Sequence, residues 1–75
     1  MIVRHIKRNF KSPGPISIRL EEPFWRALDF IAAEKGVTVQ ELVHSIQLGH
    51  TDENRTSAVR VYVLQYYIDL AASRR

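Results

Sequence analysis

One short stretch, residues 16–20, carries the strongest constraint on how this chain can fold. It reads Ile-Ser-Ile-Arg-Leu, so apolar and polar residues alternate with the period of a half-buried β-strand. No other segment of the sequence predicts a strand. A lone strand leaves a row of backbone donors and acceptors unpaired. We therefore expect residues 16–20 to pair with the same residues of a second copy across a homodimer.

Positive charge is concentrated at one end of the chain. Residues 1–20 hold five bases and no acid, a charge of +5, whereas residues 21–75 hold six bases and eight acids, a charge of −2, which together give the net +3. The breaker cluster Ser-Pro-Gly-Pro at 12–15 predicts extended or turned chain. We expect a flexible basic arm over 1–15, ahead of a folded domain over 16–73. Basic arms commonly contact phosphates, and the candidates here are Arg4, Lys7, Arg8 and Lys11.

Three helices are expected after the strand. Pro23 suits the first turn of one helix and Gly36 its left-handed C-terminal cap. Thr38 with Glu41 forms the capping-box pattern of a second helix. A polar loop over 48–54 separates it from a third helix, which starts at about Thr56 and ends at about residue 72.

The third helix is apolar nearly all round. Nine of the twelve residues from 59 to 70 are Val, Leu, Ile or Tyr. A helix of this kind is buried on several sides, and we infer that it lies in the dimer interface. The residues expected at that interface, from the strand and the helices together, are Ile16, Ile18, Leu20, Trp25, Val59, Val63, Tyr66 and Tyr67.

Size and composition argue against several functions. Seventy-five residues make one small domain, and without cysteine it cannot use disulfides, so a partner subunit is the expected support. The histidines His5, His44 and His50 lack metal-ligand spacing, and no catalytic signature is present. We expect no enzyme activity, no cofactor and no metal. No apolar stretch could span a bilayer and no secretory signal is evident, so a cytoplasmic location is expected.

The polar side of the strand has the residue types that read DNA. A two-stranded ribbon fits the major groove, and its outward side chains would be Ser17 and Arg19 from each copy. The starts of the second and third helices offer free N–H groups for phosphate, with Thr38, Arg55 and Thr56 as the side chains there. The alternatives are an ordinary solvent-facing strand and a Thr38 that only caps its helix.

Several stretches resemble the ribbon-helix-helix (Arc- and MetJ-like) DNA-binding family over about residues 7–70. The stretches are Ile-Ser-Ile-Arg-Leu-Glu at 16–21 followed by Phe24-Trp25, and Thr-Ser-Ala-Val-Arg-Val-Tyr-Val-Leu at 56–64 with Tyr66-Tyr67. The resemblance implies an intertwined dimer with its ribbon in the major groove. Ser17 and Arg19 would be the readers, and Pro15 occupies the position before them. The family has two helices and this chain predicts three, so the helix starting near residue 38 and the one starting near 56 both remain candidates for the second.

The function predicted from these features is that of a homodimeric, sequence-specific regulator of bacterial type, acting as a transcriptional repressor on double-stranded DNA. Whether dimers assemble further on DNA is left open. The alternative is a dimeric protein-interaction module, such as an antitoxin-like or adaptor protein, that keeps the fold without reading DNA. A third hypothesis is an arm over residues 2–10 that binds RNA or an anionic membrane surface.

Overall fold

A computed structural model of the chain describes residues 3–11, 15–48 and 54–74. Within those ranges two strands precede three helices, in the order β1 (His5–Phe10), β2 (Ile16–Glu21), α1 (Glu22–Lys35), α2 (Val39–Gln47) and α3 (Arg55–Ala72). The mainly helical class and the three expected helices are confirmed. Most of the breaker cluster, residues 12–14, and most of the loop ahead of α3, residues 49–53, lie outside the described residues.

β2 has its pairing partner within its own chain. β1 and β2 form a two-stranded antiparallel sheet in which His5 lies opposite Glu21 and Phe10 lies opposite Ile16. The expectation that residues 16–20 have no mate except a second copy is therefore wrong, and pairing across a homodimer loses its basis. The flexible arm is also corrected, because residues 5–10 of it form a regular strand.

An arginine on the inner side of β1 explains why this strand escapes recognition in the sequence. Ile6 and Phe10 point toward the helices, but the inward position between them is held by Arg8, which breaks the apolar alternation. The guanidinium carbon of Arg8 lies 4.5 Å from the centroid of the Trp25 ring. Its nitrogens donate to the two Asp29 carboxylate oxygens at 3.0 and 3.2 Å. The long side chain thus covers apolar surface and keeps its charge paired near solvent.

The inner face of the hairpin packs on the helices and forms one core with them. Trp25 anchors β1 further, because its indole Nε1 donates to the Ile6 carbonyl oxygen at 2.8 Å. The buried apolar residues of the core are Ile18, Leu20, Trp25, Leu28, Ile31, Ala32, Leu42, Val43, Val59 and Val63.

Five residues expected at an interface between copies are in this core. Ile18, Leu20, Trp25, Val59 and Val63 are at most 6% exposed, so the chain's own side chains already cover them. This corrects the expectation that they face a second copy. Periodicity shows which residues share a face of a helix or strand, but not whether the same chain or another one covers that face.

The helix ends follow the local rules that predicted them. Gly36 ends α1 with a φ of 70°, and its N–H bonds back to the last turn. Thr38 and Glu41 form the reciprocal capping box of α2, with bonds of 3.0 and 3.1 Å. α3 begins at Arg55, one residue before the predicted start. None of the helices in the described ranges is both long and apolar enough to cross a membrane.

Candidate nucleic-acid interface

The outer face of the hairpin is a polar surface formed by alternate residues of both strands. Register places Lys7 opposite Arg19 and Asn9 opposite Ser17. All four residues are exposed, while their neighbours in sequence point toward the core. We call this set of four residues the ribbon face. A single chain therefore already presents a two-stranded antiparallel ribbon with a solvent-facing row of hydrogen-bonding groups.

Lys7 and Arg19 place two positive charges side by side. Residues directly opposite on antiparallel strands have Cβ atoms about 4.5–5.5 Å apart, and like charges there repel each other. Neither side chain pairs with an acid among the residues that the structure describes. An anion bound between them would relieve this repulsion.

The other cross-strand pair of the ribbon face is a neutral hydrogen-bonded one. The Ser17 hydroxyl donates to the Asn9 side-chain oxygen at 2.6 Å. This bond engages the Asn9 side-chain oxygen, and no hydrogen bond from the Asn9 NH₂ group is present among the described residues. Asparagine can bond adenine through N6 and N7, and serine can serve several bases.

The acid at the end of the ribbon is already paired. The Glu21 carboxylate accepts from Arg60 Nε at 3.1 Å and Arg60 Nη2 at 2.8 Å, and His5 Nε2 lies 3.8 Å from its other oxygen. A hydrogen bond from its own backbone, and then the Arg60 guanidinium, lower the pKa of Glu21. The pair joins the end of β2 to α3 and keeps this negative charge from cancelling the Lys7 and Arg19 charges.

The predicted phosphate-binding residues divide by location. Arg4 and Lys11 are exposed at the two ends of β1, on either side of the ribbon face. Arg8 differs from the expectation, because it lies on the opposite face of the hairpin and is bound to Asp29. The remaining candidates, Thr38, Arg55 and Thr56, stand at the starts of α2 and α3 on elements separate from the hairpin.

Sequence reasoning found half of the ribbon face. The sequence predicts Ser17 and Arg19 as outward residues of the strand, but it predicts Lys7 only as a phosphate-binding residue of a flexible arm and assigns no role to Asn9. The signal was present in the polar residues at positions 5, 7 and 9. The charged Arg8 at the inward position between Ile6 and Phe10 breaks the apolar alternation and conceals it.

Comparison with known proteins gives one match. The family model described as the ribbon-helix-helix domain matches residues 14–67, which include β2, α1, α2 and most of α3. β1 precedes the matched region. No curated protein and no solved structure matches the chain. Within the described ranges, no group of three His, Asp or Glu residues could hold a metal ion.

Proposed function

The chain belongs to the ribbon-helix-helix domain family, and on that premise we propose that it is a DNA-binding transcriptional repressor. The ribbon in this proposal is the β1–β2 hairpin of one chain, with its ribbon face turned into the major groove. The observation that carries the proposal is the pairing of Lys7 with Arg19 and of Asn9 with Ser17 on one exposed face.

The width of the groove favours a single hairpin. The major groove of B-form DNA is about 12 Å wide and admits a two-stranded ribbon. Neighbouring strands lie about 4.8 Å apart, so the outer strands of a four-stranded sheet joined across two copies would be about 14 Å apart. Such a sheet is wider than the groove even before side chains are counted. The hairpin therefore fits better alone than as part of an extended sheet.

Each residue of the ribbon face has a distinct proposed role. Arg19 reads guanine through O6 and N7, Asn9 reads adenine, and Ser17 positions Asn9 while contacting a neighbouring base. Lys7 binds the phosphate backbone. The flanking contacts to phosphate come from Arg4 and Lys11 and from the helix starts at Thr38, Arg55 and Thr56.

A binding assay with matched arginine variants tests the proposal. Labelled duplexes selected from a random-sequence pool are titrated with the full chain and followed by fluorescence polarisation. Arg19→Ala should weaken binding to the selected sequence by about 1–3 kcal/mol and relax base preference, because it removes a base contact. Lys7→Ala should weaken binding to all sequences and reduce the dependence on salt, because it removes a charge facing phosphate.

Arg26→Ala is the control, since it removes the same charge from an exposed position on α1 outside the hairpin. It should leave base preference unchanged. Equal effects of Arg19→Ala and Arg26→Ala would mean that only net charge matters, and the ribbon face would not be a reader. Failure to retain any duplex at about 50 mM salt, where electrostatic binding is strong, would refute DNA binding and favour the protein-interaction module.

A further inference from the structure

The outer side of the hairpin continues past the ribbon face for one more cross-strand pair. His5 lies opposite Glu21 in the strand register, and it is exposed on the same side of β1 as Lys7. Strands rise about 3.4 Å per residue, so His5 stands about 7 Å beyond Lys7 along β1. The region that matches the family model, residues 14–67, does not include β1. His5 therefore adds to the outer face a residue that lies outside the family match.

The imidazole of His5 faces a carboxylate on one edge and is open on the other. Its Nε2 lies 3.8 Å from Oε2 of Glu21, which is an ion-pair distance, and its side chain is 54% exposed. The other Glu21 oxygen, Oε1, accepts both hydrogen bonds from Arg60, which leaves Oε2 to face the ring. No hydrogen bond to His5 Nδ1 is present among the described residues. A protonated imidazole donates from both nitrogens, so Nδ1 can bond an external anion while Nε2 faces Glu21.

The charged groups around His5 come from both strands and from the helices that pack against this end of the hairpin. They are Arg4 just before β1, Lys7 on β1, Arg19 and Glu21 on β2, Glu22 at the start of α1 and Arg60 on α3. A hydrogen bond from its own backbone, and then Arg60, lower the pKa of Glu21, so this carboxylate stays ionised in weak acid. Histidine is the only side-chain type among these that ordinarily changes its charge between pH 5 and 8.

We propose that His5 binds a DNA phosphate as an imidazolium, so that the affinity of the chain for DNA rises as pH falls. The inference rests on the proposed function, because the phosphate belongs to the duplex whose groove holds the ribbon face. A phosphate brings negative charge to the open edge of the ring, and a nearby opposite charge favours the protonated form. Such coupling is reciprocal, so protonation strengthens phosphate binding by the same factor. Binding therefore takes up a proton from solvent.

Counterion release sets the size of the expected effect. Each DNA phosphate that a cation neutralises steepens the slope of log affinity against log salt concentration by about 0.9. One added contact therefore raises the affinity about ten-fold at about 50 mM salt and about three-fold at about 200 mM. We expect the wild type to gain these factors between about pH 8 and about pH 5.5, the range over which imidazole charges. The gain must shrink with salt, because it comes from a single phosphate contact.

Fluorescence polarisation of the full chain with a duplex selected from a random-sequence pool, at both pH values and both salt concentrations, tests this inference. His5→Gln should bind with an affinity that no longer changes with pH. His5→Lys should keep the low-pH affinity at both pH values, because lysine is charged throughout this range. His44→Gln and His50→Gln are the matched controls, since they remove the other two histidines of the sequence. Both controls should keep the pH dependence of the wild type.

The outcomes separate the role of His5 from DNA binding itself. A wild-type affinity that does not change with pH, or a pH dependence that His5→Gln keeps, would overturn the inference and leave DNA binding intact. Absence of binding at both pH values in the lower salt would refute the proposed function, and the role of His5 with it. Because His5 is exposed, its variants should keep the helix content of the wild type in circular dichroism, so a changed affinity reports the lost contact.

Discussion

Replacing Arg8 tests whether β1 is held to the helices as the structure indicates. Arg8→Ala removes three contributions at once. The cation over the Trp25 ring contributes about 0.5–1 kcal/mol at a partly exposed site. The forked pair with Asp29, whose side chains are 36% and 49% exposed, contributes about 0.2–1 kcal/mol. Loss of the apolar stem over the indole adds a comparable amount. We expect the free energy of unfolding to fall by about 1–3 kcal/mol.

Urea and thermal unfolding followed by circular dichroism measure this loss. In a domain of this size each kcal/mol lowers Tm by about 4–8 °C, so the change is well resolved. Asp29→Ala should cost only the ion-pair part, about 0.2–1 kcal/mol. Lys7→Ala is the control on the same strand, and it should stay within about 0.5 kcal/mol of wild type because Lys7 points to solvent. If Arg8→Ala were as stable as Lys7→Ala, the docking of β1 on Trp25 would be refuted.

Three further predictions concern single polar residues. Because the pKa of Glu21 is lowered in the folded state, its ionised form is the one that folding favours. Wild type should therefore have a higher free energy of unfolding than Glu21→Gln above the ordinary glutamate pKa, and this difference should vanish as pH falls through the lowered pKa. A difference that does not change with pH would contradict this. Gln47 is 7% exposed and its amide has no hydrogen-bond partner among the described residues. Gln47→Met should therefore raise the free energy of unfolding, measured in urea, by about 1 kcal/mol. A lower free energy of unfolding would mean that the amide has a partner after all. Thr38→Ala should lower the free energy of unfolding by about 1 kcal/mol in the same assay, because it removes the side-chain cap of α2. An unchanged free energy of unfolding would mean that the cap does not stabilise the fold.

Local chemistry made the helices predictable. The left-handed position after α1 needs a residue without a Cβ, and Gly36 supplies it at a φ of 70°. The Thr38–Glu41 box satisfies two backbone donors wherever it occurs, so the start of α2 follows from four residues. These features depend on near neighbours in the chain and not on tertiary packing.

The hairpin and the coverage of α3 depend on contacts that are distant in sequence. β1 is stabilised by Trp25, which lies 19 residues beyond Ile6, and by Asp29, which lies 21 residues beyond Arg8. A local sequence pattern cannot predict contacts at this separation. An apolar helix circumference likewise predicts burial on several sides without assigning each side. The chain's own core takes Val59 and Val63, and the side with Leu64 is left exposed.

An NMR titration of the labelled full chain with a selected duplex tests most directly whether the ribbon face contacts DNA. The Asn9 side-chain amide, the Arg19 Nε–H and the backbone amides of Lys7 and Ser17 should show the largest changes. The Trp25 indole N–H, on the opposite face of the hairpin, should change little. Large changes at Trp25 or along Val61–Ile68, with the ribbon face unaffected, would contradict the proposed mode of binding.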